Sequence, residues 1–221
     1  MGGGPDSTGP QTLVEVLTPG QRRRPAILLA GDADSAERYA PDYCSVLGVD
    51  ATPCAVLPLD DELGALEDFT AIVVGGGHAP TYHHALFARA AEIRELVAGG
   101  VAYVGFSAGA MIAGDVAILG GHQVNGSSVC PEEWSEGLGE VTLAPGLGLV
   151  PFVIDVHAAQ AGTLGRAHYV AERNPGWQVV ALDENTALRV HGSSQQALGT
   201  GNVWRFTASL RGPVCLSRES A

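Results

Sequence analysis

The chain has no lysine: all twelve of its basic residues are arginine. That excludes Schiff-base chemistry on a lysine amine and the lysine of a Walker-type phosphate loop. Cysteine is scarce too. Cys44, Cys54, Cys130 and Cys215 are widely spaced with no CxxC pair, which reads as free thiols and not as a disulfide framework or a zinc site. Positive charge is in deficit, since 24 acidic residues against 12 basic ones leave a formal net charge of −12. Nucleic acid is therefore excluded as a partner, because that binding is built from clustered cations that release counterions. The one basic run, Arg22 to Arg24, reads as a solvated connector. No apolar stretch reaches eighteen residues, and the opening "MGGGPDSTGPQ" lacks the charged-then-apolar order of a secretion signal. The expectation is a soluble, cytoplasmic protein that makes no membrane contact.

What is present is a core. With 221 residues and 46% apolar composition, the chain suffices for one domain over residues 13–221, behind a first dozen residues expected to be disordered. The runs "PAILLAGDA" (25–33), "TPCAVLPL" (52–59), "FTAIVVGGG" (69–77) and "GGVAYVGFS" (99–107) are short, apolar and end in Gly, Asp or Ser, the pattern of buried parallel strands. Between them, residues 35–49 and 82–100 carry apolar residues at helical spacing, the second stretch closing on Gly99 and Gly100. Alternation of this kind predicts a mostly parallel sheet with helices on both faces and ligands beyond the carboxyl ends of the strands. The later half reads as a strand over 146–157, a helix over 161–175, a strand pair over 178–190 and a closing strand over 202–210.

Ser107 lies where the strand "VAYVGF" gives way to the helix-forming "AGAMIAG". A nucleophile elbow needs small residues at such a turn, because strand and helix approach closely and the helix amino terminus aims N–H groups at a developing oxyanion. Gly105, Ala108, Gly109 and Ala110 meet that demand. The preceding strand ends in Gly75, Gly76 and Gly77, which lets backbone amides approach a substrate carbonyl.

A serine nucleophile requires a base, and His157 ends the apolar run "LVPFVIDVH" at the same sheet edge. His78, His83 and His84 have no Cys or carboxylate at ligand spacing, so no metal is expected, and no cofactor. The base requires an orienting carboxylate. "VVALDENTAL" offers Asp183 and Glu184, of which strand alternation turns one toward the site. Asp115 and Asp155 compete with them.

Together "VVGGG", "GFSAGA", "GLGLVPFVIDVH", "GRAHYVAERNP" and "ALDENTAL" resemble peptidase family S51, which contains cyanophycinase and the aspartyl dipeptidase peptidase E. The resemblance implies a class I glutamine amidotransferase-like fold: a three-layer, flavodoxin-like α/β sandwich. It implies Ser107 as nucleophile, His157 as base and Glu184 as triad acid, with Asp183 the alternative, and an oxyanion hole from Gly76, Gly77 and the Ala108 amide. Of the basic cluster that follows the histidine in cyanophycinases, only Arg166 is kept. Arg166, Gln160 and Asp155 are then the candidates for binding substrate, with Arg166 reading an acidic side chain or else holding a helix in place. The implied activity is hydrolysis of small, Asp-X-like dipeptides by a homodimer. A cyanophycinase-like exopeptidase and a catalytically inactive small-molecule binding module are the alternatives.

Overall fold

Strand β1 (Pro25–Leu29) shows how the first sheet is built, because every residue in it is buried. Ala26 and Leu28 pack into one apolar cluster, while Ile27 and Leu29 pack into a second one with Ala40 and Cys44 of helix α1 (Ala33–Leu47). Successive side chains of a strand point to opposite faces, so a strand that is apolar throughout needs cover on both sides. The computed structural model describes residues 1–4, 24–31, 33–47, 55–58, 65–210 and 212–221. Cys54, Arg22, Arg23 and residues 5–12 lie outside these.

Strands β2 (Ala55–Pro58), β3 (Ala71–Val74) and β4 (Ala102–Gly105) complete a parallel sheet in the order β2-β1-β3-β4. Residues 82–100, expected as one helix, form two: α2 (Ala79–Phe87) and α3 (Ala90–Ala98). The break falls at Arg89, whose φ of −102° and ψ of 10° leave the helix. Its guanidinium donates to the Glu92 carboxylate in the first turn of the next helix at 2.7 Å.

After β4, helix α4 is a single turn (Ala108–Met111). Asp115 therefore lies beyond its end, exposed, with its backbone N–H on Val150 O at 3.0 Å, and is no candidate for the triad. A segment the sequence reading left without structure follows, with β5 (Val116–Gly120), the two-residue pair β6 (Gln123–Val124) and β7 (Ser127–Ser128), and β8 (Thr142–Pro145). The expected strand over 146–157 is confined to β9 (Val153–Val156), and helix α5 runs over Leu164–Arg173. Strand β10 (Gln178–Leu182) leads into β11 (Thr186–His191), which pairs antiparallel with β12 (Ser194–Gly199). Strand β13 (Asn202–Ala208) does not close the chain, since β14 (Val214–Ser220) pairs antiparallel with it.

The second sheet runs β14-β13-β10-β9-β5-β8, with β9 parallel to both β10 and β5. The fold is thus an α/β sandwich with parallel strands at its centre. One apolar cluster joins the two sheets: Ile72 and Val74 of the first meet Ile154, Val156, Val180 and Leu182 of the second. Strands β4, β9 and β10 each end just before a residue of the candidate site.

Candidate active site

The chain turns sharply at Ser107, where φ is 50° and ψ is −111°. A non-glycine residue held there costs roughly 1–3 kcal/mol, and such strain persists only where its surroundings over-determine it. The surroundings are the two flanking glycines. A Cβ on Gly105 would lie 2.4 Å from Gly109 O, and one on Gly109 would lie 2.3 Å from Val74 O. Only glycine lets strand and helix come this close, and that approach lifts the serine above the sheet edge.

His157 leaves β9 at another left-handed turn, with φ at 54°. Its Nε2 lies 2.9 Å from Ser107 Oγ, and its Nδ1 lies 2.8 Å from Glu184 Oε1. A carboxylate accepts only, so Nδ1 carries the proton and Nε2 presents a lone pair to the serine hydroxyl. The imidazole is buried and hemmed by Trp134, whose ring centroid is 4.5 Å away.

Residues 1–3 run through the centre of this arrangement, although the sequence reading expected disorder at this terminus. Ser107 N–H donates to Met1 O at 3.0 Å, His157 N–H to Gly2 O at 3.1 Å and Asn185 N–H to Gly3 O at 2.9 Å. The three turns that carry Ser107, His157 and Glu184 are therefore each bonded to one of three consecutive carbonyls. Glycine is required here for two reasons. Gly3 and Gly4 have φ of 88° and 102°, and a Cβ on Gly3 would fall 2.2 Å from His157 Cε1.

Of the three expected oxyanion donors, two are free. The amides of Gly77 and Ala108 have no acceptor among the described residues, whereas Gly76 N–H donates to the Tyr43 hydroxyl at 2.9 Å. Tyr82 holds the same loop from the other side, donating its hydroxyl to Gly76 O at 3.1 Å.

The model of peptidase family S51 matches residues 30–198. The chain belongs to that family. It is accordingly a serine peptidase. Solved structures agree at the level of fold: a protein of Listeria monocytogenes EGD-e assigned as a peptidase E matches with a TM-score of 0.54 at 15% identity, over 87% of this chain and 93% of that one. No curated protein matches the sequence.

Within this S51 peptidase the remaining candidates have other partners. Asp183 is 1% exposed and faces away from His157. Its Oδ1 accepts from Ala159 N and Trp204 Nε1, and its Oδ2 from Asn202 N and Nδ2, all within 3.0 Å. Arg166 and Asp155, expected at the substrate, are bonded to each other. Both are buried, and the guanidinium donates to Asp155 Oδ1 at 2.7 Å and Oδ2 at 2.9 Å. Asp155 holds the Arg166 pKa above its ordinary value despite burial, and Arg166 Nη1 donates to Trp134 O at 2.7 Å. The pair thus secures α5 and supports the segment that carries Trp134, which corrects the substrate-binding assignment of both residues. Gln160 is exposed, and its Oε1 accepts the Glu184 N–H at 2.9 Å, so it steadies the acid's backbone.

One residue that the sequence reading passed over stands at the site. Glu136, in a left-handed turn with φ of 56°, accepts the Ala79 N–H at 3.3 Å, two residues beyond Gly77. Desolvation raises its carboxyl pKa, against the lowering pull of the Ala79 N–H, His78, Arg166 and His157. Its only sequence signal was a place among the acidic residues of "CPEEWSEGLGE", which had no strand or helix to locate it.

Proposed function

We propose that the chain hydrolyses small peptides by acyl transfer through Ser107, His157 and Glu184. The observation that carries the reading is the continuous hydrogen-bonded line from Ser107 Oγ to His157 Nε2 at 2.9 Å and from His157 Nδ1 to Glu184 Oε1 at 2.8 Å. His157 takes the hydroxyl proton as Oγ attacks the scissile carbonyl, and the amides of Gly77 and Ala108 receive the oxyanion. His157 then returns the proton to the leaving amine. Water, deprotonated by the same nitrogen, releases the acid product, and Glu184 stabilises the imidazolium formed in each half-reaction.

Small substrates fit a site whose histidine is overhung by Trp134. An Asp-X preference rested on Arg166, which is closed off by Asp155. The Glu136 carboxylate favours instead a substrate that brings a positive group, such as the free ammonium of a dipeptide. The test is hydrolysis of an X-Leu panel by wild type and Ser107→Ala, with fluorophosphonate labelling in parallel. The expected result is cleavage and labelling lost together in the variant, with Asp-Leu no faster than Ala-Leu. Equal rates in the two proteins would overturn the serine assignment.

A further inference from the structure

The peptide that joins Gly76 to Gly77 carries the Gly77 N–H, one of the two free amides at the site. It lies beside the nucleophile, since a Cβ on Gly76 would stand 3.4 Å from Ser107 Cβ. The residue before it is held by backbone: Gly75 N–H donates to Leu28 O at 3.0 Å, and Gly75 O accepts the Gly109 N–H at 3.2 Å. The Gly76–Gly77 peptide has no backbone partner among the described residues. Its hydrogen bond comes from a side chain, the Tyr82 hydroxyl, which donates to Gly76 O at 3.1 Å.

Glycine at both ends leaves this peptide free to turn over, because the half-turn is shared between ψ of Gly76 and φ of Gly77 and meets no Cβ. A trans peptide points its C=O and its N–H in opposite directions. With Gly76 O on Tyr82, the Gly77 N–H points away from the tyrosine. Turned over, the same peptide would present a carbonyl oxygen where negative charge develops, which repels what the N–H stabilises. The φ of Gly77 is 137°, and a half-turn would carry it to a negative value open to any residue. The orientation that serves catalysis therefore has to be held.

Tyr82 lies in the first turn of α2, which starts two residues after Gly77, and its own N–H donates to His78 O at 3.3 Å. The side chain is fully buried, and its hydroxyl oxygen accepts the Ala30 N–H at 2.9 Å where β1 ends. That bond fixes the hydroxyl in place and leaves its one proton for Gly76 O. Desolvation raises the pKa of the phenol, so the proton stays on it. Tyr43 accepts the Gly76 N–H at 2.9 Å and so fixes the preceding peptide, not this one. We propose that Tyr82 is a positioning residue of this peptidase, whose hydroxyl locks the Gly76–Gly77 peptide with its N–H toward the oxyanion. The assignment rests on the Ser107 mechanism proposed above.

The test is Tyr82→Phe, which removes one oxygen and keeps the ring. Three quantities are read: kcat and KM on the best X-Leu substrate, Ki of the amino aldehyde matching X, and Ki of the matching amino alcohol. Ser107 Oγ adds to the aldehyde carbon, His157 takes the hydroxyl proton, and the carbonyl oxygen becomes an oxyanion; the alcohol forms none. In Tyr82→Phe, kcat should fall roughly 10–10³-fold and the aldehyde should weaken by a matching factor, while KM and the alcohol Ki stay within about threefold. Gly77→Ala has room for its methyl, with Tyr82 Cε2 at 3.6 Å, and drives the same turn-over through φ. It should show the same pattern, and the double variant should lose no more than Gly77→Ala alone. Equal weakening of aldehyde and alcohol in Tyr82→Phe, an unchanged kcat in either single variant, or losses that multiply in the double variant would overturn the lock. Hydrolysis by Ser107→Ala at the wild-type rate would overturn the serine mechanism and the lock with it. Activity lost in Ser107→Ala but intact in Tyr82→Phe would overturn the lock alone.

Discussion

Gly3→Ala tests whether residues 1–3 position the triad. The new methyl group would lie 2.2 Å from His157 Cε1 and 2.5 Å from Nε2, where ordinary contact begins at 3.4 Å. Relief therefore needs a displacement of about 1.2 Å, the difference of those two distances, shared between the imidazole and the terminal segment. A misplacement of about 1 Å at reacting atoms costs roughly 10²-fold in rate. Backbone strain adds roughly 1–2 kcal/mol at a φ of 88°, or a loss of roughly 2–8 °C in Tm for a chain of this size. Gly126→Ala separates the two effects, because Gly126 has a φ of 76° but nothing within 4 Å of its Cβ position. It should lose stability and keep its rate. The assay is kcat and KM on the best dipeptide with Tm recorded for each variant; kcat should fall roughly 10²-fold in Gly3→Ala alone, with KM little changed. If Gly3→Ala keeps kcat within threefold of Gly126→Ala, the terminal carbonyls do not position the triad.

Glu184→Gln and Asp183→Asn should part cleanly. The first is expected to lower kcat by roughly 10²–10⁴-fold at nearly unchanged Tm, as the imidazolium loses its partner. The second should lower Tm by several degrees and leave kcat of the folded protein within fivefold, because an amide nitrogen would face donors that the carboxylate now accepts. For Glu136, the folded pKa lies above the unfolded one, so the folded state holds its proton more tightly and the group's favourable contribution, complete below the unfolded pKa, is lost as pH rises through the folded pKa. Glu136→Gln should accordingly be more stable than wild type at pH 7, with the advantage vanishing at acid pH; chemical denaturation at a series of pH values reads this, and an advantage that grows toward acid pH would contradict the sign.

The first sheet was legible because β1 and β3 are buried throughout and all four strands read as unbroken apolar runs, each closed by a turn residue. Ser107 was legible for a related reason, since the glycines on either side are demanded by the strand and helix that meet there. Strand alternation left Asp183 and Glu184 equal, and only the fold turns Glu184 toward His157 and Asp183 toward Trp204. Arg166 misled because sequence records a charge and not its partner, and Asp155 reaches it from an adjoining element eleven positions away. The stretch from β5 to β8 was illegible for want of periodicity, as its strands are two to five residues long and join through turns. Residues 1–3 were misread because "MGGGPDSTGPQ" has the composition of a loose end, and the hydrogen bonds that hold it use no side chain.

The contact of Trp134 with His157 bears on the direction in which the leaving group departs. An imidazole bonded at both nitrogens, with an indole 4.5 Å away and the Gly3 backbone against its edge, has no room to turn over between the two half-reactions. In the proposed mechanism the proton taken from Ser107 therefore leaves through the nitrogen that received it. On that mechanism the amine product and the incoming water meet the same imidazole nitrogen, one after the other.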